Sequence, residues 1–246
     1  TETGSLTFDP LTGGLASYLI LFSFCLSAAA IPIHAWLPDA YPEGTVTGSV
    51  FLSAFTTKVA VYALARGFAG WDILIWVGVT MALYGVVFAV IENDIRRVLA
   101  YHIISQVGYM VVGVGIGTAI AINGATAHAF AHISYKGLLF MGTGAVLYTT
   151  GRSKMTELGG LARALPLTLV LYMVGSLSIS GFPLFSGFVS KSMVIHAAEP
   201  SHLGLVALLL NMAAVGTFFN RRHCCAAKVS FCSQRSLQPS PTPKGM

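Results

Sequence analysis

Residues 165–197 read LPLTLVLYMVGSLSISGFPLFSGFVSKSMVIHA, 33 residues with no acid and one cation, Lys191. A straight helix of that length would span about 50 Å at about 1.5 Å per residue, against a bilayer core of about 30 Å. Gly181 and Pro183 sit in its middle. Proline removes a backbone donor and clashes with the turn before it. The stretch therefore predicts a membrane helix broken in two, near 165–180 and 183–197. An unbroken helix with a tolerated proline kink is the competing reading. Irregular backbone at membrane depth survives only inside protein or beside a water-filled cavity, and such breaks often mark transport sites.

Six further apolar runs surround it, at 16–37, 46–66, 73–91, 97–117, 120–149 and 202–220. Each is long enough to cross a bilayer, which takes roughly 20 residues of helix. The expected fold class is all-α integral membrane, with about seven transmembrane helices. The expected domain is 16–221, between an extracytoplasmic N-terminal segment 1–15 and an irregular tail 222–246. Composition agrees. Only 9% of the 246 residues are charged, where soluble domains carry about 25%, and the mean hydropathy is +0.75. A soluble enzyme and a disordered chain are excluded. The net charge of +5 does not come from one basic stripe, so nucleic acid is not an expected partner.

The cations instead give an orientation. With seven crossings, the links near 38–45, 92–96 and 150–164 and the tail share one side. That side holds Arg96, Arg97, Arg152, Lys154, Arg163, Arg221, Arg222, Lys228, Arg235 and Lys244; the other holds Arg66 alone. The positive-inside rule then places the N-terminus outside and the C-terminus in the cytoplasm, in a cell (inner) membrane. Thr1 is not a start methionine, and no secretory signal is visible. The reading is a processed start or a piece of a longer chain. Pro239, Pro241 and Pro243 mark the tail as irregular.

Ionisable residues inside the runs are the functional candidates. A charge at the bilayer centre costs at least about 2.5–3.5 kcal/mol. Lys58 stands thirteen residues into the second run, too deep to snorkel easily. His128, His132 and Lys136 in AHAFAHISYK recur every four residues, about 6 Å apart along one helix face. Such a row relays protons through one or two waters per step. Lys191 lies in the second half of the 165–197 stretch. The bland readings are a lysine bonded to a helix-end carbonyl and a histidine bonded to a neighbour. His128 and His132 have metal-ligand spacing, but no third ligand is evident, so no metal is expected. His34, His102 and His196 stand near helix ends and read as interfacial. Tyr101, Ser105 and Gln106 form a polar patch, and Gly113, Gly115 and Gly117 read as helix-packing positions.

The stretch Ile31-Pro32-Ile33-His34-Ala35-Trp36-Leu37-Pro38-Asp39-Ala40 resembles the PLHxWLPDA signature of the antiporter-like membrane subunits. These are the proton-pumping subunits of respiratory complex I (NADH:quinone oxidoreductase) and the large subunits of Mrp-type Na+/H+ antiporters, with the wording nearest the D-type Mrp subunit. The resemblance continues through Thr57-Lys58-Val59, Asn93-Asp94-Ile95-Arg96-Arg97, Ser105-Gln106-Val107-Gly108-Tyr109, His128 to Lys136, and Gly181-Phe182-Pro183-Leu184, over residues 16–220. It implies helices seven to thirteen of a fourteen-helix fold, with broken helices at 16–40 and 165–197. It implies proton carriage by Lys58, His128, His132, Lys136 and Lys191. It also implies a departure: the family places a lysine nine residues before the signature tryptophan, and here Ser27 stands there. That lysine pairs with a glutamate of the family's fifth helix, a helix outside the matched region.

The expected function is therefore part of a multi-subunit monovalent cation/proton antiporter, with other membrane subunits, the bilayer, protons and Na+ or K+ as partners. The alternative is the pumping subunit of a complex I-like assembly. Neither reading calls for a cofactor, because there is no nucleotide-binding strand–loop–helix and no thiolate cluster. A seven-helix receptor or retinal protein is the third reading. Its Schiff-base lysine belongs in the last helix, and 202–220 contains no lysine.

Overall fold

A computed structural model of the chain describes residues 11, 13–158, 160–199 and 203–229, and only the backbone of 162–163 and 221–229. Among them the ordered elements are helical. They are α1 (Leu15–Ser27), α2 (Trp36–Glu43), α3 (Val46–Phe51), a π-helical turn (Leu52–Thr56), α4 (Thr57–Gly67), α5 (Asp72–Ile91), α6 (Ile95–Ile116) and α7 (Ala119–Thr150). A 3-10 turn (Met155–Glu157), the short α8 (Leu161–Ala164), α9 (Pro166–Ile179), α10 (Ser186–Ala198) and α11 (Gly204–Val229) follow. α3, the π turn and α4 run on as one rod, Val46–Gly67. That rod, α5 and α6 are each long and apolar enough to cross a membrane. α11 continues to Val229, into the segment expected to be irregular; residues 230–246 lie outside those described.

Caps fix the helix ends. Asp94 accepts from the amides of Arg96 (2.8 Å) and Arg97 (3.2 Å), so an acid starts α6 where the first-turn N–H groups have no partner within the helix. The Ser153 hydroxyl donates to the other Asp94 oxygen and ties the link after α7 to the same point. Thr118 starts α7 in the same way, accepting from Ala121 N at 3.3 Å.

α6 is the centre of the molecule. Of its apolar window 89% is buried, against 50% for α5. One apolar core joins residues of α1, α2, α4, α5, α6, α7 and α9, and a second joins α5, α6, α10 and α11. Small residues allow this. A Cβ on Gly108 would stand 2.6 Å from Gly78 O, and one on Gly85 2.5 Å from Ser105 N, so α5 and α6 meet backbone to backbone. Lipid-like surroundings give no hydrophobic drive between helices, and close approach then supplies the packing. Gly113 and Gly115 have packing contacts of the same kind, with Ala121 O at 2.8 Å and Ile75 N at 2.7 Å.

Candidate functional site

The sequence-predicted ionisable residues converge on α6 and α7. Lys58, His128, His132, Lys136 and Lys191 are all buried, the three on α7 completely. Among the described residues no Asp or Glu side chain is buried. Each ammonium lies instead on a backbone carbonyl. Lys58 Nζ donates to Ser53 O at 2.5 Å and to Thr57 Oγ1 at 3.1 Å. Lys136 Nζ donates to Leu99 O of α6 at 2.7 Å. Lys191 Nζ donates to Ile179 O at 2.7 Å and stands 5.4 Å from the centre of the Tyr109 ring.

Two of these carbonyls come from irregular backbone. Ser53 belongs to the π turn, where the helical ladder is interrupted. Ile179 is the last residue of α9, whose terminal carbonyls have no partner further along the helix. The chain then turns through residues 180–185, with Gly181 at φ 71° and Pro183 in the link, before α10 begins at Ser186. A positive φ of that size suits glycine, which has no Cβ to clash.

The histidines lie between the lysines. His128 Nδ1 is 2.8 Å from Ser190 Oγ, beside Lys191 on α10. The His128 and His132 ring centres are 6.2 Å apart, and Tyr135 is edge-on to His132 at 5.2 Å. Neither nitrogen of His132 has a hydrogen-bond partner among the described residues, and neither His128 Nε2 nor Tyr135 Oη has one. Lys58, Lys136, Lys191 and His128 are all within electrostatic reach of His132. Buried nitrogens without protein partners are places where ordered water belongs. The arrangement is chemically a set of buried proton donors and acceptors, several of them without a protein partner among the described residues.

The signature residues work elsewhere. Pro32 and His34 lie in the turn after α1, where His34 packs edge-on to Tyr84 at 4.5 Å. Trp36 opens α2 and its Nε1 donates to Leu26 O at 3.1 Å. Asp39 pairs with Arg97 at 2.6 Å, and the Pro38 carbonyl accepts from Arg97 Nε at 3.5 Å. These contacts fasten α2 to the ends of α1 and α6.

Several partners carried no signal in the sequence. Ser190 looked like one of many serines. The π turn has no breaker residue. Arg96, counted among the loop cations, is buried and bonds Pro42 O (2.5 Å), Gly44 O (2.9 Å) and Ser49 Oγ (2.5 Å), closing the end of α2. His102 corrects the interfacial reading: it is 6% exposed and its Nε2 lies 3.0 Å from Asn220 Nδ2 of α11. His196 is exposed as expected, paired with Glu199 at 3.1 Å.

Residues 5–217 match the family described as NADH:quinone oxidoreductase/Mrp antiporter, transmembrane region, and the chain belongs to that family. It is 35% identical over 212 residues to the D component of the Na(+)/H(+) antiporter of Alkalihalophilus pseudofirmus, covering 82% of this chain and 43% of that protein. It is 34% identical over 208 residues to the N component of the NADH-quinone oxidoreductase of Desulforudis audaxviator, covering 80% of this chain and 42% of that one. Its fold superposes on a chain of the Mrp complex from Dietzia sp. with a TM-score of 0.84 and 31% identity, over 87% of this chain and 42% of the other. The chain thus spans about two fifths of the length of these relatives. Family and apolar helices together make it a multi-pass membrane protein.

Proposed function

We propose that this chain is the proton-carrying region of one component of a multi-subunit monovalent cation/proton antiporter. Protons would pass along Lys58, His132, His128 and Lys191, with Lys136 joined to the row from α7. One observation carries the reading: two buried lysines, Lys58 and Lys191, rest on backbone carbonyls, and among the described residues no carboxylate is buried. A carboxylate would hold an ammonium as a fixed ion pair, and removing one partner would leave an uncompensated charge. A carbonyl dipole supports the ammonium yet leaves no stranded ion when the proton departs. His132, whose two nitrogens have no partner among the described residues, receives at one and releases at the other.

The proposal places seven crossings in the membrane, with the 165–197 stretch crossing as two half-helices, α9 and α10. The N-terminus is outside and residues 92–96 and 150–164 are cytoplasmic, which the Lys/Arg asymmetry supports. Na+ or K+ is the exchanged ion, and further membrane subunits complete the assembly, as the A. pseudofirmus relative's name suggests. The D. audaxviator relative favours a second reading, redox-coupled proton pumping in a complex I-like assembly. Both use the same residues, and neighbouring genes for quinone-reductase components would select the second.

The test is Lys136→Ala in the assembled parent complex, reconstituted in vesicles with an internal pH dye. The expected result is loss of most proton flux with normal assembly of the complex. Undiminished flux overturns the assignment. Orientation is tested by a cysteine placed at Lys154, which should resist impermeant reagent added outside intact cells.

A further inference from the structure

His102 is a buried titratable group that the Lys58–Lys191 row does not use. It belongs to a second polar line. On α6, His102, Ser105, Gln106 and Tyr109 recur at helical spacing and share one face of the most buried helix. Both amide atoms of Gln106, Ser105 Oγ and His102 Nδ1 have no hydrogen-bond partner among the described residues. At one end of the line, Lys191 stands over the Tyr109 ring at 5.4 Å. Beside the other, Lys136 Nζ bonds the carbonyl of Leu99, three residues before His102.

The far end is set by α11. His102 is seven residues into α6, about 10 Å from its start. Asn220 is sixteen residues into α11, about 24 Å along it. The His102–Asn220 contact therefore joins the start of α6 to the later part of α11, near Arg96 and Arg97 and next in sequence to Arg221 and Arg222. The amide suits a ring that changes its protonation. As placed, Nδ2 donates to Nε2, which leaves the ring proton on Nδ1; turned over, Oδ1 accepts from Nε2–H of the other tautomer or of the imidazolium.

We propose that His102, positioned by Asn220, is a branch of the proton path that links Lys136 to the arginine-bearing end of the molecule. The proposal rests on the proton-carrying function above. In the step, Asn220 is turned over so that the neutral ring carries Nε2–H against Oδ1; the Lys136 ammonium then loses its proton to the open His102 Nδ1, leaving a neutral amine at Leu99 O and an imidazolium that still donates Nε2–H to Asn220 Oδ1. Release of that proton to water at the arginine-bearing end restores the neutral ring.

The experiment uses the complete complex in vesicles with a pH dye, with assembly scored alongside. His102→Gln keeps a hydrogen-bonding side chain beside Asn220 but carries no proton; it should assemble normally and lower flux by roughly tenfold or more. Asn220→Leu should lower flux, and Asn220→Gln, which keeps the amide, should restore it. If His102→Gln does not assemble, the Asn220 pair decides alone. Full flux in His102→Gln, or equal flux in Asn220→Leu and Asn220→Gln, overturns the branch. Lys136→Ala run in parallel separates the two ideas: its loss of flux with His102→Gln unaffected removes the branch only, and full flux in both removes the underlying function as well.

Discussion

The links α1–α2 and α9–α10 pose the same problem to the chain and solve it with different chemistry. In both a helix stops, a residue takes a positive φ (Ala29 at 58°, Gly181 at 71°), a proline follows, and a new helix starts within ten residues. In both the last carbonyls of the first helix need donors. At α1, Ala30 N bonds Cys25 O at 2.8 Å, and Leu26 O accepts from Ala29 N and from the neutral indole of Trp36, each at 3.1 Å. At α9, Phe182 N bonds Leu177 O at 3.2 Å, but Ile179 O accepts from the Lys191 ammonium at 2.7 Å. An indole N–H never titrates in water, and an ammonium does. The first link is closed by a fixed donor and the second by one that can leave its proton elsewhere.

The substitution with the largest expected effect separates closing the helix end from carrying the proton. Lys191→Arg keeps a cation able to bond Ile179 O, but a guanidinium does not deprotonate in proteins. Assembly should stay normal while proton flux in reconstituted vesicles falls by roughly tenfold or more. If Lys191→Arg transports like the unaltered complex, Lys191 is a structural donor of the same kind as Trp36, and the contrast between the two links disappears.

A middle-sized effect belongs to the other side of the comparison. Trp36→Phe keeps an aromatic ring against Tyr41, now 6.0 Å away, and removes only the N–H that reaches Leu26 O. Leu26 O retains the Ala29 amide. The loss should therefore be near that of one hydrogen bond, about 1 kcal/mol, read as a modest drop in the thermal unfolding temperature of the solubilised complex. Flux per assembled complex should hardly change. A flux loss as deep as that of Lys191→Arg would give the indole a transport role and break the comparison from its first half.

How much of this was legible follows from what each residue needs. The apolar runs 46–66, 73–91 and 97–117 lie within two residues of Val46–Gly67, Asp72–Ile91 and Ile95–Ile116, because hydrophobic length is a local property. The burial of Lys58, Lys136 and Lys191 was legible from their depth in the apolar runs. Their partners were not. Leu99 O meets Lys136 across 37 residues of chain, and a backbone carbonyl has no residue type to announce it. His102 was misread because its place near a helix start suggested an interface, while burial there depends on α11 arriving from the far end of the sequence with Asn220. The bonds of Arg96 were equally illegible: a link cation and a buried helix-end donor look the same in sequence until α2 is folded against it.

The smallest expected effect tests the residue that departs from the family signature. Ser27 is the last residue of α1, is exposed, and donates to Ser23 O of its own helix at 3.3 Å. Ser27→Ala removes one local, exposed bond and no charge, so stability should change by no more than about 0.5 kcal/mol. Flux should also be unchanged, because the carbonyls of Phe24, Cys25 and Leu26 already have donors in Trp36 and backbone amides. The alternative is that Ser27 holds water in the place where the resemblance of the signature stretch implies a lysine, and that this water passes protons. In that case Ser27→Ala would cut flux strongly with no loss of thermal stability, while Ser27→Thr, which keeps the hydroxyl, would preserve it. Such a result would mean that the first link is also part of the path, with a hydroxyl-held water doing at α1 what the Lys191 ammonium does at α9.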